Sequence, residues 1–110
     1  MLKFLHIGVP TNTPKPGEVY AEGMKVYLTN PEDWRYKYEY LRFDEDSWMA
    51  EEIKTRVHVA FMVDELESHL NEADKILLPP TKVSDTATIA FILKGEMVLE
   101  LMVDTAVKAK

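Results

Sequence analysis

Two strand-like segments, Leu2–Val9 (LKFLHIGV) and Arg56–Val63 (RVHVAFMV), restrict the fold of this chain more than any other feature. Each segment carries one histidine, His6 or His58, within a mostly apolar run. Because side chains alternate between the two faces of a strand, each histidine shares a face with apolar neighbours. The recurrence of one strand pattern in both halves of the chain indicates an internal repeat.

Two later segments, Tyr36–Phe43 (YKYEYLRF) and Met97–Val103 (MVLELMV), repeat the pattern with a glutamate. Strand alternation places Glu39 and Glu100 on faces that also carry apolar side chains. The order along the chain is therefore histidine, glutamate, histidine, glutamate. This order predicts two copies of one unit, with ionisable groups inside each half.

The second half of the chain predicts a strand, a helix and three further strands. After the strand Arg56–Val63, an apolar stripe at helical spacing predicts a helix over Glu65–Ala73. Asp64 and Glu67 form a pattern similar to a capping box at its start. The remaining predicted elements are strands at Lys75–Leu78, Thr86–Leu93 and Met97–Val103, an extended exit at Pro79-Pro80, a tight turn at Lys94–Glu96 and a fraying tail at Thr105–Lys110.

The first half predicts similar strands without a clear helix. Pro10–Gly23 contains three prolines and two glycines, so a loop is predicted there. A short strand at Met24–Leu28, a turn at Thr29–Glu32 and a strand at Trp34–Phe43 follow. The interval from histidine to glutamate is shorter than in the second half by roughly the length of the missing helix.

The predicted fold class is α+β, with paired βαβββ modules that form a curled mixed sheet. The first module lacks or shortens its helix. The chain is predicted to form a single domain over residues 1–110, in which a half-module of residues 1–46 and a half-module of residues 56–104 are joined by a connector of residues 47–55. A helical turn near Trp48–Lys54 is expected within that connector.

Composition excludes several classes of function. The net charge of −6 argues against nucleic acid as a partner, because phosphate binding depends on clustered lysine and arginine. The chain has no cysteine, which excludes disulfides and thiolate metal sites. No apolar run approaches the roughly 20 residues of a membrane span. We therefore expect a soluble, cytoplasmic protein with no membrane partner.

Two imidazoles and two carboxylates form a ligand set that suits Zn²⁺, Ni²⁺, Mn²⁺ or Fe²⁺. A carboxylate among apolar side chains needs a cation, a hydrogen-bond donor or a raised pKa. A divalent metal is the favoured interpretation, because four such groups occupy corresponding positions in two half-repeats. The alternative is that the histidines are satisfied core residues and that each glutamate pairs with an arginine at the rim of the sheet, either Arg35, Arg42 or Arg56.

The segments LHIGV, VHVAFMVDELESHL and IAFILKGEMVLELMV resemble the vicinal oxygen chelate superfamily, which includes glyoxalase I and the fosfomycin and bleomycin resistance proteins. The resemblance extends from Leu2 to Val103. It implies a cup of paired modules around a metal, with His6, Glu39, His58 and Glu100 as the ligands. It also implies that Glu100 leaves the metal to act as the catalytic general base, and that the protein is a homodimer. In the paired arrangement, the first two ligands of one chain meet the last two of the other.

Two hypotheses of function from different classes follow. The first is a metal-dependent lyase or isomerase of glyoxalase type, which acts on a small oxygen-bearing substrate through a metal-stabilised enediolate or oxyanion. The second is a metal-free small-molecule binding protein of the same fold, with a hydrophobic pocket lined by Phe4, Phe43, Met62 and Met102. A third alternative is a dimerisation module without a ligand. The aromatic face formed by Trp34, Tyr36, Tyr38 and Tyr40 is either internal packing or a subunit interface.

Overall fold

The computed structural model of the protein describes residues 1–107. Residues 108–110, which belong to the predicted domain and to its fraying tail, lie outside the described residues. The strands are β1 Leu2–Pro10, β2 Val19–Ala21, β3 Val26–Leu28, β4 Tyr38–Phe43, β5 His58–Val63, β6 Lys75–Lys82, β7 Ala87–Lys94 and β8 Met97–Asp104. The helices are α1 Glu51–Thr55 and α2 Glu67–Glu72, with a 3₁₀ turn at Pro31–Asp33.

The strands form a mixed sheet that curls into a half-barrel, in the order β2-β3-β4-β1-β5-β8-β7-β6. At its centre, β1 and β5 run antiparallel to each other. Each of them is also parallel to the last strand of its own half, β4 or β8. The remaining neighbours pair antiparallel. The α+β class and the curled mixed sheet are confirmed.

The hydrophobic core lies mainly in the second half of the sheet. One cluster of buried side chains joins α1 to β6, β7 and β8, with Ile53 fully buried at its centre. A second cluster joins β5, β7 and β8, and partly buried side chains of α2, including Leu66 and Leu70, pack against it. Burial of these apolar side chains fixes the strands that carry the second histidine and glutamate.

The strand predicted at Trp34–Phe43 begins only at Tyr38. The prediction is therefore wrong for its first four residues. Lys37 has a φ of 55°, a left-handed conformation that does not fit a strand. Trp34 ends the 3₁₀ turn, and its ring packs edge-on against that of Tyr40 at 4.8 Å. The predicted turn is confirmed at Pro31–Asp33, where the Asn30 side chain accepts a hydrogen bond from the Glu32 amide.

Three proline-containing predictions are wrong in part. β1 continues through Pro10, and the loop predicted over Pro10–Gly23 contains β2. Pro79 and Pro80 lie within β6 instead of ending it. Proline is tolerated there because β6 is an edge strand of the sheet and its pairing with β7 is irregular between Leu78 and Thr81.

The two helices lie close to their predicted positions but are short. α1 ends the connector, and Ile53 anchors it in the core. α2 begins at Glu67, and the capping box predicted from Asp64 is wrong. The Asp64 carboxylate instead lies 2.6 Å from the amino terminus, which draws it away from the helix. Within residues 1–107, no helix is long and apolar enough to cross a membrane.

Candidate metal centre

The four strands at the middle of the sheet, β4, β1, β5 and β8, carry the four predicted ligands. Strand register arranges these ligands in two rows across the sheet. In one row, His6 on β1 lies opposite Ala60 on β5, which lies opposite Glu100 on β8. In the other row, Glu39 on β4 lies opposite Gly8 on β1, which lies opposite His58 on β5. In each row, a small residue therefore lies between two predicted ligands.

The small residue at the centre of each row makes space for the flanking side chains. A Cβ atom on Gly8 would lie 2.0 Å from Cε1 of His58 and 2.3 Å from its Nε2. The ring of His58 thus occupies the space that a side chain at position 8 would fill. Ala60, the middle of the other row, is fully buried. Neither residue was among the predicted site residues, although Gly8 follows His6 by two positions and Ala60 follows His58 by two positions.

The donor atoms of the four predicted ligands all lie within 4.8 Å of one another. Nε2 of His6 is 3.2 Å from Oε1 of Glu39 and 3.2 Å from Oε1 of Glu100. Nε2 of His58 is 3.1 Å from the same oxygen of Glu100. A single chain brings the ligands of both halves together, so assembly of the cluster does not require a partner chain.

Burial differs among the four ligands. His58 is completely buried, whereas His6 and Glu100 are each 7% exposed. The Glu39 side chain is 17% exposed, which makes it the ligand nearest to solvent. The ring of Phe91 packs edge-on against that of His58 at 5.0 Å and helps to fix its orientation. The two glutamates therefore differ: one is held between both histidines, and the other contacts His6 from a more open position.

The cluster strongly perturbs proton binding. Burial lowers the pKa of His6, but hydrogen bonds to Glu100 and Glu39, with the charges of both, outweigh burial and raise that pKa to about 10. Burial raises the pKa of Glu100, but hydrogen bonds and charge from His58 and His6 outweigh burial and lower it to about 2. The side chains thus hold a positive charge on His6 between two carboxylates when no other cation is bound.

The four side chains form a hydrogen-bonded network, and the same convergence of donor atoms could also hold a divalent ion. Nε2 of His6 faces two carboxylate oxygens, yet it carries at most one proton to donate. Oε1 of Glu100 in turn faces two imidazole nitrogens. Neighbouring ligands about 2.1 Å from an ion lie about 3 Å apart, as the three close pairs do, whereas the outer limit of 4.8 Å means that a bound ion would draw the most distant donor atoms inward. Two imidazole nitrogens and two carboxylate oxygens also form a suitable donor set for Zn²⁺, Ni²⁺, Mn²⁺ or Fe²⁺.

The second ring nitrogen of His58 has no hydrogen-bond partner. Nδ1 is buried, and no protein group in residues 1–107 bonds to it. A metal-binding histidine commonly donates this second N–H to a carbonyl or carboxylate, which fixes its orientation. In His58, the orientation of the ring is restrained by packing against Gly8 and Phe91 instead.

The alternative pairing of the glutamates with arginine is not found in the described part of the chain. Arg42 forms an ion pair with Glu18, and its guanidinium lies 4.1 Å from the centre of the Tyr27 ring. Arg35 lies over the ring of Tyr36. Both site glutamates instead contact histidine.

A cavity of about 160 Å³ adjoins the ligand cluster and includes both glutamates in its wall. Phe43 and Met102, two of the four residues predicted to line a pocket, are part of it, whereas Phe4 and Met62 are not. The pairing of β1 with β5 shifts between Phe4 and His6, so that Phe4 aligns with Phe61 and His6 with Ala60. This irregularity turns Phe4 to the opposite face from His6, which explains why Phe4 does not line the cavity as predicted.

No family model matches this sequence, and no curated protein matches it significantly.

Proposed function

We propose that this protein is a metal-dependent lyase or isomerase of glyoxalase type that acts on a small oxygen-bearing substrate. The observation that carries the proposal is the convergence of His6, Glu39, His58 and Glu100 on one point within 4.8 Å. An apolar cavity beside this point gives a substrate access to both carboxylates. A buried group of this kind next to a cavity is a common arrangement of catalytic sites.

We further propose that the two halves are βαβββ modules of the vicinal oxygen chelate kind, with the helix of the first module lost. The strand sequence β1-β4-β3-β2 on one side of the centre corresponds to β5-β8-β7-β6 on the other. Each histidine lies on the first strand of its half and each glutamate on the last. Such equivalence of ligand positions supports duplication of a single unit.

His6, Glu39, His58 and Glu100 would hold the divalent ion, either Zn, Ni, Mn or Fe. The ion would supply Lewis-acid stabilisation of an enediolate or oxyanion on the substrate. In this proposal, Glu100 is the catalytic residue and acts as general base. Contacts with both histidines keep the pKa of Glu100 near 2, so its carboxylate is ionised at neutral pH. Proton abstraction would require Glu100 to separate from these histidines, because only then does its basicity rise.

The metal-free binding protein is a second candidate, which the apolar cavity favours. In this case the cavity alone would bind the ligand, and the four polar groups would stay a hydrogen-bonded network. Homodimer formation and a cytoplasmic location stay predictions that accompany both candidates. Light scattering on the purified chain would test the first of these.

The two candidates differ in metal content. We expect near-stoichiometric divalent metal, measured by mass spectrometry, in protein purified without an affinity tag or chelator. His58→Ala should lose the metal. His69→Ala is a matched control, since His69 lies on α2 outside the cluster, and it should keep the metal. If the wild-type protein binds no divalent ion even after incubation with one, the enzyme proposal is wrong and the binding-protein candidate is favoured.

A further inference from the structure

The wall of the cavity beside the ligand cluster is apolar except at one end. Among its lining residues in the described part of the chain, ten are apolar, and the other two are Glu39 and Glu100. Both carboxylates belong to the ligand cluster, so all the polar groups lie at one end. Of the same lining residues, Val83 alone is exposed, which places the opening to solvent on its side. A bound molecule would therefore have one polar end and an apolar remainder.

The size of the cavity limits the apolar remainder. Its volume of about 160 Å³ is similar to that of an engineered apolar cavity of about 150 Å³ that binds benzene. A single six-membered ring or a short branched chain fits within such a space, whereas a second fused ring would have to extend toward the opening. Buried side chains on opposite walls, such as Leu41 and Ile89, restrict its expansion.

The charge of the wall limits the ligand further. Within residues 1–107, no lysine, arginine or histidine is among the lining residues. The nearby Arg42 forms an ion pair with Glu18 and a cation–π contact with Tyr27, and Lys25 forms an ion pair with Asp46. Two carboxylates balance the charge of a divalent ion, so the loaded site has no surplus positive charge with which to bind an anion. Without the ion, even protonation of both histidines would do no more than balance the two carboxylates, so no surplus positive charge is present to bind an anion.

We infer that this cavity binds a neutral molecule whose apolar part has the size of one six-membered ring or a short branched chain, with hydroxyl groups that donate toward Glu39 and Glu100. As a description of the substrate, the inference rests on the proposed function, but the binding itself does not require a metal. Acidic substrates and bulky peptide conjugates are excluded by the same features.

The test is titration of the full chain, labelled with ¹³C at its methyl groups, by three probes. Benzyl alcohol has the inferred size and no charge, benzoate adds a negative charge, and 2-naphthalenemethanol adds a second ring. The titration is carried out on the protein as purified and again after treatment with chelator. Methyl signals of Met49, Ile89 and Met102 report on the cavity, and Ile76, exposed on β6, serves as the reference.

We expect benzyl alcohol to shift the three cavity signals saturably and to bind at least about tenfold more tightly than either other probe. Benzoate would place a negative charge against two carboxylates, and 2-naphthalenemethanol would place part of its second ring outside the enclosed space. Equal or tighter binding of benzoate or 2-naphthalenemethanol would overturn the inference. So would the absence of saturable shifts at the cavity signals.

A variant pair tests the location. Leu28→Phe adds volume to the half-buried wall of the cavity and should weaken benzyl alcohol binding at least about tenfold, whereas Ile76→Phe should leave it unchanged. Equal effects of the two variants would overturn the location. Metal content separates the two proposals: bound metal without benzyl alcohol binding contradicts this inference alone, and benzyl alcohol binding without metal contradicts the proposed enzyme alone.

Discussion

The two halves of the sheet have corresponding strand orders but differ in how well their outer faces are covered. In the half formed by β5–β8, Val63 and Leu101 are buried, and α2 packs against the cluster that contains them. In the half formed by β1–β4, Leu2 is 62% exposed and Phe4 is 43% exposed. In the described residues, β1 has its main contacts with β4 and β5 and none of comparable extent with a helix. The outer face of this half is therefore less covered than that of the other half.

This difference extends to the ligands. The half with two covered faces supplies His58, which is fully buried, and Glu100, which contacts both histidines. The half with one covered face supplies His6 and the more exposed Glu39. Rigid positions for ligands come from dense packing around the strand that carries them. We therefore expect the second half to fix the position of the site and the first half to adapt to its occupant.

The largest effect should come from removing a core side chain of the second half. Leu101→Ala is expected to lower the free energy of unfolding by about 2–5 kcal/mol, since it leaves a cavity in the core. Leu2→Ala on exposed β1 should change it by less than about 0.5 kcal/mol. Urea denaturation of both variants measures the contrast. A comparable loss in Leu2→Ala would mean that the outer face of the first half is covered in solution.

A smaller but more specific effect should come from Gly8, which lies opposite His58 where β1 of the first half pairs with β5 of the second. Gly8→Ala places a methyl group in the space of the His58 ring, so unfolding should be easier by about 1–3 kcal/mol. The displaced ring should also lower the affinity for divalent metal at least about tenfold. Gly23→Ala is the matched control, because a Cβ there meets no atom within 4 Å. Unchanged metal affinity in Gly8→Ala, measured by competition with a chelating dye, would refute this role of Gly8.

The smallest effect concerns pH in protein from which metal has been removed. The pKa of His6 is raised from 6.5 to about 10, so its contribution to stability is complete below about pH 6.5 and is lost as pH rises toward 10. The pKa of Glu100 is lowered from 4.5 to about 2, so its contribution is complete above about pH 4.5 and is lost as pH falls toward 2. From these two groups, we expect the greatest stability between about pH 4.5 and 6.5.

Thermal unfolding across this range checks the prediction, with Glu100→Gln as the comparison, since the amide removes the charge shared by the two histidines. This variant should lose stability mainly within the central pH range. A wild-type melting temperature that keeps rising from pH 6.5 to 10 would contradict the assigned direction for His6.

Alternation along strands was enough to predict that His58 and Glu100 face the inside of the sheet. The histidine and glutamate pattern in both halves of the sequence was enough to predict which four groups lie together. Two local features escaped the sequence pattern. The shift in pairing after Phe4 turns that side chain outward, and strand alternation contains no signal for it. The left-handed conformation of Lys37 shortens β4. A lysine does not indicate such a conformation in the sequence, whereas a glycine would.

The roles of Gly8 and Ala60 could have been predicted only with the register of the sheet. The sequence shows a small residue two positions after His6 and after His58, but not that this residue lies opposite a candidate ligand on the neighbouring strand. Similarly, the tolerance of Pro79 and Pro80 depends on β6 being at the edge, which local propensity does not reveal.

Those two prolines also affect how the protein behaves at high concentration. Backbone N–H groups of an edge strand point alternately toward the sheet and away from it, and proline has no N–H to offer. Two consecutive prolines therefore remove a donor from the outward side of β6, whichever of them faces outward. A strand from another molecule cannot continue the hydrogen-bond ladder past this point, which protects this edge of the sheet against fibril growth and aggregation.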